Sequence, residues 1–468
     1  MKYISTRGEA PKLAFDEVLL TGLARDGGLY LPETWPQFST ADLAAMKDLS
    51  FSELAVEVML PFVEEVVNRT ELTAIVAATY ADFDCADVAP LVKLGDGEYV
   101  LELFHGPTLA FKDYALQFLG RMFDHVLSKR GTRLTIVGAT SGDTGSAAIE
   151  ACRDRDNIEI FILHPQGKVS GVQRRQMTTV LSDNVHNIAM DGNFDDCQST
   201  VKALFADDQF RNEVSLSAVN SINWARIMAQ IVYYFWAALR TGSPATPVAF
   251  AVPTGNFGNV FAGYCAKQMG LPVSQLVIGS NANDILIRFI ETGRMESRGV
   301  FATTSPSMDI QISSNFERFM FELLNRDSDA LNAAMAQFKT SGYFTVGDDF
   351  MRRLKEIMDG ERLDDAATAQ VIGDVYKQFG YLLDTHSAIG VGAARARRRD
   401  PRVPMVMLAT AHPAKFPIAV EAASGVHPAL PSHLCDLYER DEKYISLPGS
   451  YDVIKTHIET TLKERGKL

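Results

Sequence analysis

The chain has 468 residues, 47% of them hydrophobic, enough to bury more than one core, so two or three domains are expected. A formal charge of −13 excludes nucleic acid or an anionic membrane surface as the natural partner, since either would meet net repulsion. Any anionic substrate must therefore find a local basic pocket. The five cysteines (Cys85, Cys152, Cys197, Cys265 and Cys435) contain no Cys-x-x-Cys pair, which argues against a disulfide framework or a zinc knuckle and for a reducing compartment. The opening MKYISTRGEAPK has neither the apolar core of a signal peptide nor the Arg-rich, acid-poor character of an organelle presequence, so a cytoplasmic location is expected.

Taken in chain order, residues 1–95 read as a mostly helical N-terminal domain, with helices over Thr40–Met46, Ser52–Glu65 and Leu72–Tyr80 and the turn-rich stretch ARDGGLYLPETWP before them. From Tyr99 short β-branched runs alternate with helical patterns. YVLEL precedes a helix over Phe111–Leu127, LTIV precedes one over Gly145–Cys152, and IEIFIL is followed by a loop. This is the rhythm of parallel βαβ units, and it delimits a smaller α/β domain over 96–217. The rhythm resumes in a large α/β domain over 218–468, with VAFAV at Val248–Val252, a helix from Asn259, QLVIG around Leu276 and VPMVML at Val403–Leu408. The apolar stretch Ile227–Leu239 is interrupted by Gln230 and falls short of the roughly 20 residues of a bilayer crossing, so it reads as a buried helix. Residues 325–399 are again helical, and the basic cluster Arg395–Arg399 reads as a solvated helix end.

Three segments carry chemistry. In HGPTLAFKDYALQFLG, Lys112 stands where a Gly-Pro turn gives way to a helix bearing Phe111, Ala115, Leu116, Leu119 and Phe123. Helix starts favour anions, so a lysine there is misplaced unless it has work to do. Desolvation by the apolar flank favours the neutral amine that a Schiff base requires, although a solvated surface lysine would satisfy the same pattern. GNFGN, Gly255–Asn259, follows a strand and opens a helix, so its backbone N–H groups can converge on one phosphate. GATSGDTGSAA, Gly138–Ala148, has the same setting and adds Thr140, Ser141, Asp143, Thr144 and Ser146 as short polar groups. Neither loop is G-x-G-x-x-G; at Gly390 and Gly392 the third glycine is replaced by Arg395. The signatures of P-loop NTPases, α/β-hydrolases and zincins are missing too, and no metal site is expected.

A lysine at a helix start, then a polar glycine loop, then GNFGN is the order of parts in fold type II pyridoxal-phosphate enzymes. RDGGLYLPE at Arg25, HGPTLAFKD around Lys112, GATSGDTGSAA, NSINWAR at Asn220 and TAHPAKF at Thr410 together resemble the microbial and fungal branch of the threonine synthases, over essentially the whole chain. The resemblance implies an α/β fold of the tryptophan synthase β type, with two parallel-sheet domains and a helical N-terminal domain. It implies pyridoxal 5'-phosphate as cofactor and the conversion of O-phospho-L-homoserine and water into L-threonine and phosphate, the last step of threonine biosynthesis. Residue by residue, Lys112 matches the lysine that carries the cofactor and then moves protons. Gly255, Asn256, Phe257, Gly258 and Asn259 match the cup for the cofactor phosphate. Asp143 falls where related enzymes often have an asparagine beside the ring hydroxyl, and Thr410 matches the hydroxyl residue facing the ring nitrogen. Ser221 and Arg226 match the site of the substrate phosphate, with Thr144 and Lys415 as further candidates; a planar guanidinium suits that phosphate through paired hydrogen bonds. His105, His386 and His412 lie beside these motifs and read as hydrogen-bonded structural histidines. The implied enzyme is a monomer or homodimer acting on a small molecule, with no nucleic-acid or membrane partner. Two rival functions share parts of this pattern: a serine or threonine dehydratase of the same fold, which has no use for a second anion site, and a catalytically silent homologue that binds a phospho-ligand.

Overall fold

The computed structural model describes residues 1–219 and 221–468, which divide into two compact units. The first gathers residues 1–77, 85–105 and 221–429. Its centre is a six-stranded sheet in the order Met358–Arg362, Val273–Ser280, Val248–Pro253, Met405–Ala409, Glu98–Glu102, Leu91–Gly95. The first five strands run parallel and only the last pair is antiparallel. The strand Val248–Pro253 is buried at every position, as a parallel strand covered on both faces must be, which is why VAFAVP shows no polar alternation.

The apolar run noted in the sequence is the helix Trp224–Arg240, buried from Trp224 through Leu239. A helix buried along its whole length is a core helix, and here the N-terminal residues supply part of its cover. Tyr3 and Phe62 pack against Trp224 with ring centroids 6.1 and 5.7 Å away, and the Tyr3 hydroxyl donates to the Phe62 carbonyl at 2.8 Å. Helix Phe51–Val63 begins at Ser50, whose side chain accepts from the Glu53 N–H while Glu53 accepts from the Ser50 N–H, a reciprocal cap. The basic cluster ends the helix Thr385–Arg397, where Arg395 pairs with Glu98, Arg397 with Glu361 and Arg399 with Asp359.

The second unit comprises the described residues of 78–84, 106–220 and 430–468. Its five-stranded sheet, in the order Ile445–Leu447, Val185–Met190, Ile158–Pro165, Leu134–Ala139, Leu216–Ser217, is parallel throughout. The segment after Pro165, expected as a loop, includes the short helix Gly171–Thr178 started by Ser170. The C-terminal helix Tyr451–Glu464 belongs here because Ile454, Ile458 and Leu462, spaced four apart, are buried with Leu204 and Phe210. Each such side chain contributes roughly 1.5–3 kcal/mol relative to exposure.

Helices Lys112–Arg130 and Asp143–Cys152 meet at Gly120, where an added Cβ would lie 2.1 Å from the Ala151 carbonyl oxygen. Backbone cannot yield as a flexible side chain can. Gly120→Ala should therefore force the helices apart and cost about 1–3 kcal/mol, read as a lowered denaturation midpoint. An unchanged midpoint would show that the two helices do not approach so closely.

Candidate active site

Lys112 is the first residue of its helix and is only 7% exposed. The preceding turn is held by Asp113, fully buried, whose two carboxylate oxygens accept from the Thr108 N–H at 2.8 Å and the Thr108 hydroxyl at 2.7 Å. Gly106 is needed for this clasp, because a Cβ there would stand 2.5 Å from the Asp113 side chain. Lys112 Nζ donates to Asp143 Oδ2 at 3.1 Å, and Gln173 Nε2 donates to Asp143 Oδ1 at 2.7 Å. Asp143 opens its own helix, where a carboxylate is favoured, so it is held by three influences at once: the helix start, the Gln173 amide and the lysine. The loop before it is folded by Thr140, whose hydroxyl oxygen accepts from the N–H groups of Gly142 and Gly145 at 3.0 and 2.9 Å. Thr144 is half-buried on the same helix.

The GNFGN turn lies in the first unit, between the strand Val248–Pro253 and the helix Gly258–Gln268. Phe257 takes a left-handed backbone, φ +63°, uncommon for a bulky residue, and is held there by packing on Phe316 and Phe319 at 5.0 and 5.3 Å. The Gly255 carbonyl accepts from the Ser313 hydroxyl at 2.7 Å; the Asn256 carbonyl accepts from Asn315 through its backbone N–H at 3.1 Å and its Nδ2 at 3.0 Å. In a trans peptide the N–H points opposite to the carbonyl. Pinning these two oxygens toward residues 313–315 thus turns the N–H groups of Asn256 and Phe257 to the other side, the arrangement an anion cup needs. Asn259 Oδ1 is saturated by the Tyr233 and Tyr234 hydroxyls at 2.7 and 2.9 Å. Its Nδ2 is buried with no partner among the described residues. A phosphate fits this donor set: turned backbone N–H groups, a helix start and a spare amide donor.

The NSINWAR segment opens the core helix. Asn220 lies outside the described residues. Asn223 caps the helix by accepting from the Ala225 N–H at 3.0 Å, and its amide donates to the Leu19 carbonyl at 2.8 Å. Arg226, in the first turn, is 5% exposed, and its Nη1 is buried without a partner among the described residues. Burial pulls the guanidinium down to about 10, against an opposing influence from Tyr233. It is still a cation at neutral pH, set at a helix start where the backbone also presents positive partial charge. Such a constellation is costly unless an anion completes it.

Thr410 follows the strand Met405–Ala409 and is 6% exposed; its N–H donates to Ser387 Oγ at 3.0 Å, and that hydroxyl in turn donates to the buried carboxylate of Asp384. Asp384 also accepts from His386 Nδ1 at 2.9 Å, while His386 Nε2 accepts from the Ser307 N–H at 3.3 Å. His105 bonds Glu102 at 2.8 Å and His412 Nδ1 accepts from the Ala414 N–H at 3.2 Å. Lys415 is fully buried in the turn Pro413–Lys415.

The structure thus joins Lys112 to Asp143 and links Ser221 to the GNFGN turn through Asn315, whose Nδ2 also donates to the Ser221 carbonyl at 2.9 Å. Asp113, Gln173, Ser313 and Asn315 escape sequence reading. Asp113 had a visible signal, a carboxylate one residue beyond the lysine, whereas Gln173 and Asn315 act on partners 30 and 59 positions away. Among the described residues no cluster of histidine, cysteine or carboxylate side chains could hold a metal ion, and no helix is long and apolar enough to cross a membrane.

Residues 88–410 match the family described as "Pyridoxal-phosphate dependent enzyme". That defines the class: a fold type II pyridoxal-phosphate enzyme, with this cofactor, a lysine at a helix start and a glycine turn after a parallel strand. Residues 2–80 and 387–458 further match the families described as "Threonine synthase N terminus" and "Threonine synthase, C-terminal". A threonine synthase of Pseudomonas aeruginosa is 56% identical over 98% of both chains. The crystal structure of a PLP-bound threonine synthase from Brucella melitensis superposes with a TM-score of 0.97 at 54% identity, covering 98% of this chain and 99% of that one. The yeast threonine synthase structure gives 0.94 at 40% identity and 99% of both chains. The chain belongs to the threonine synthase family and is a pyridoxal-phosphate-dependent lyase of amino-acid biosynthesis.

Proposed function

We propose that the substrate is O-phospho-L-homoserine, converted with water into L-threonine and inorganic phosphate in the cytoplasm by a monomer or homodimer. The observation that carries this reading is Arg226, a buried guanidinium with a spare donor at a helix start, in addition to the cup at Gly255–Asn259. Two phosphates need two anion sites, and a dehydratase acting on serine or threonine needs one. In this reading Arg226 and Ser221 hold the substrate phosphate, with Thr144 and Lys415 as further donors. Gly255, Asn256, Phe257, Gly258 and Asn259 hold the cofactor phosphate. Thr410 would offer a neutral hydroxyl to the ring nitrogen, and Asp143 would serve the ring hydroxyl. Bound pyridoxal phosphate supplies an electron sink beside the substrate amine. Lys112 carries the cofactor and, when released, accepts the Cα proton; a single amine serves as both nucleophile and base. Asp143, hydrogen-bonded to Lys112 Nζ, orients that amine and stabilises it when it bears the proton.

The test is a product balance. Incubation with O-phospho-L-homoserine should release threonine and inorganic phosphate in equal amounts, with no keto acid from serine or threonine. Keto acid formed from either of those without phosphate release would establish the dehydratase instead. Binding of the phospho-ligand without turnover would establish the silent homologue.

A further inference from the structure

Behind the two anion sites lies a group that the reaction itself does not require. Arg318 is fully buried in the helix Phe316–Leu323, and its hydrogen bonds among the described residues go to neutral oxygens. Nε and Nη2 donate to the Tyr30 carbonyl at 2.9 and 2.7 Å, Nη2 to the Ile222 carbonyl at 2.6 Å, and Nη1 to Asn315 Oδ1. Asn315 is likewise fully buried. A guanidinium has only donors, so the Asn315 oxygen must face Arg318 and its NH2 must face the other way. There both hydrogens are used, one on the Ser221 carbonyl at 2.9 Å and one on the Asn256 carbonyl at 3.0 Å. One amide therefore spans the two loops assigned to the two phosphates, in a single orientation that Arg318 imposes.

The consequence follows from peptide planarity. Holding the Asn256 oxygen directs the Phe257 N–H away from Asn315 into the cup; holding the Ser221 and Ile222 oxygens directs the N–H groups of Ile222 and Asn223 away from the clasp. We infer that Asn315, locked by Arg318, is a positioning residue that sets the peptide planes of the cofactor-phosphate cup and the substrate-phosphate loop together, so that both phosphates are selected by one clasp. This rests on the reading that the Ser221–Arg226 segment receives the substrate phosphate.

The experiment uses the full-length protein with cofactor removed and restored. Asn315→Asp is nearly isosteric but turns an acceptor toward the two carbonyl oxygens; Asn315→Ala removes the side-chain donors without adding charge, and serves if the first variant does not fold. Affinities for pyridoxal phosphate and for pyridoxal, which lacks the phosphate, are measured by titration. In the variants the preference for the phosphorylated form should fall by about tenfold or more, the scale of losing a buried hydrogen-bond partner. At saturating cofactor, KM for O-phospho-L-homoserine and the inhibition constant for inorganic phosphate should both rise by a similar factor, with kcat changing less. General destabilisation would weaken pyridoxal and pyridoxal phosphate alike, and an unchanged preference between them overturns the inference. So does an effect confined to one of the two phosphates. Arg226→Gln, measured in parallel, separates the two possible failures. If it leaves KM and phosphate inhibition untouched, the assignment of the second phosphate is what falls; if it raises both while Asn315→Asp does not, the clasp alone is overturned.

Discussion

Lys112→Ala is expected to lower turnover by at least about a thousandfold and to abolish the absorption that a protein-bound pyridoxal phosphate shows near the visible edge. The reason is chemical: alanine can neither condense with the cofactor aldehyde nor move a proton at Cα. The substitution has a second, electrostatic effect, because it leaves the 5%-exposed Asp143 with the Gln173 amide but without its lysine. Removing one partner of a buried pair costs about 3–5 kcal/mol, so the single variant should also melt earlier. The double variant Lys112→Ala with Asp143→Asn removes the stranded charge. It should recover much of the lost stability and none of the turnover. Turnover within tenfold of the wild type in either protein would mean that another group carries the cofactor.

The second large effect is expected at Arg226. Arg226→Gln should reduce kcat/KM for O-phospho-L-homoserine by about a hundredfold, chiefly through KM, the scale of losing a desolvated charge contact. Arg226→Lys should recover little, since an ammonium cannot reproduce the planar paired donors. Stability should move the other way. A guanidinium pulled down to about 10 by burial, with a donor left over, is a burden on the protein without ligand. Arg226→Met is therefore expected to raise the thermal midpoint of the unliganded protein while losing affinity for the phosphorylated substrate. Equal midpoints and an unchanged KM would place Arg226 among ordinary core-anchoring residues. The preference for pyridoxal phosphate over pyridoxal should not respond, which distinguishes this arginine from the Asn315 clasp.

Much of the strand and helix pattern was legible because each element carries its own evidence. VAFAV is continuous and β-branched or aromatic at its ends and centre, as a doubly covered parallel strand requires, and the structure extends it only to Pro253. HGPTLAFKD announces a turn and then a helix, and the helix begins at Lys112 itself. Elements whose signals were weak escaped: the strand Leu216–Ser217 is two residues long, and Ile445–Leu447 is mostly exposed, so neither shows a buried alternation. The short helix Gly171–Thr178, in polar GVQRRQMT, has a Ser170 cap but little apolar periodicity.

The amino-acid sequence by itself determined the family, the cofactor and the candidate lysine, because long runs such as GATSGDTGSAA and HGPTLAFKD are contiguous and their chemistry is local. What the tertiary structure alone decided is how those runs are aimed. The Lys112 amine meets Asp143, which is held in turn by Gln173; the GNFGN carbonyls are turned by Ser313 and Asn315; Arg318 fixes the one amide that joins the two loops. Apart from the Arg318–Asn315 bond within one turn of chain, each of these contacts links positions that are tens of residues apart. A hydrogen bond depends on distances of about 3 Å and on direction, quantities that the order of residues does not specify until the sheets and helices have packed.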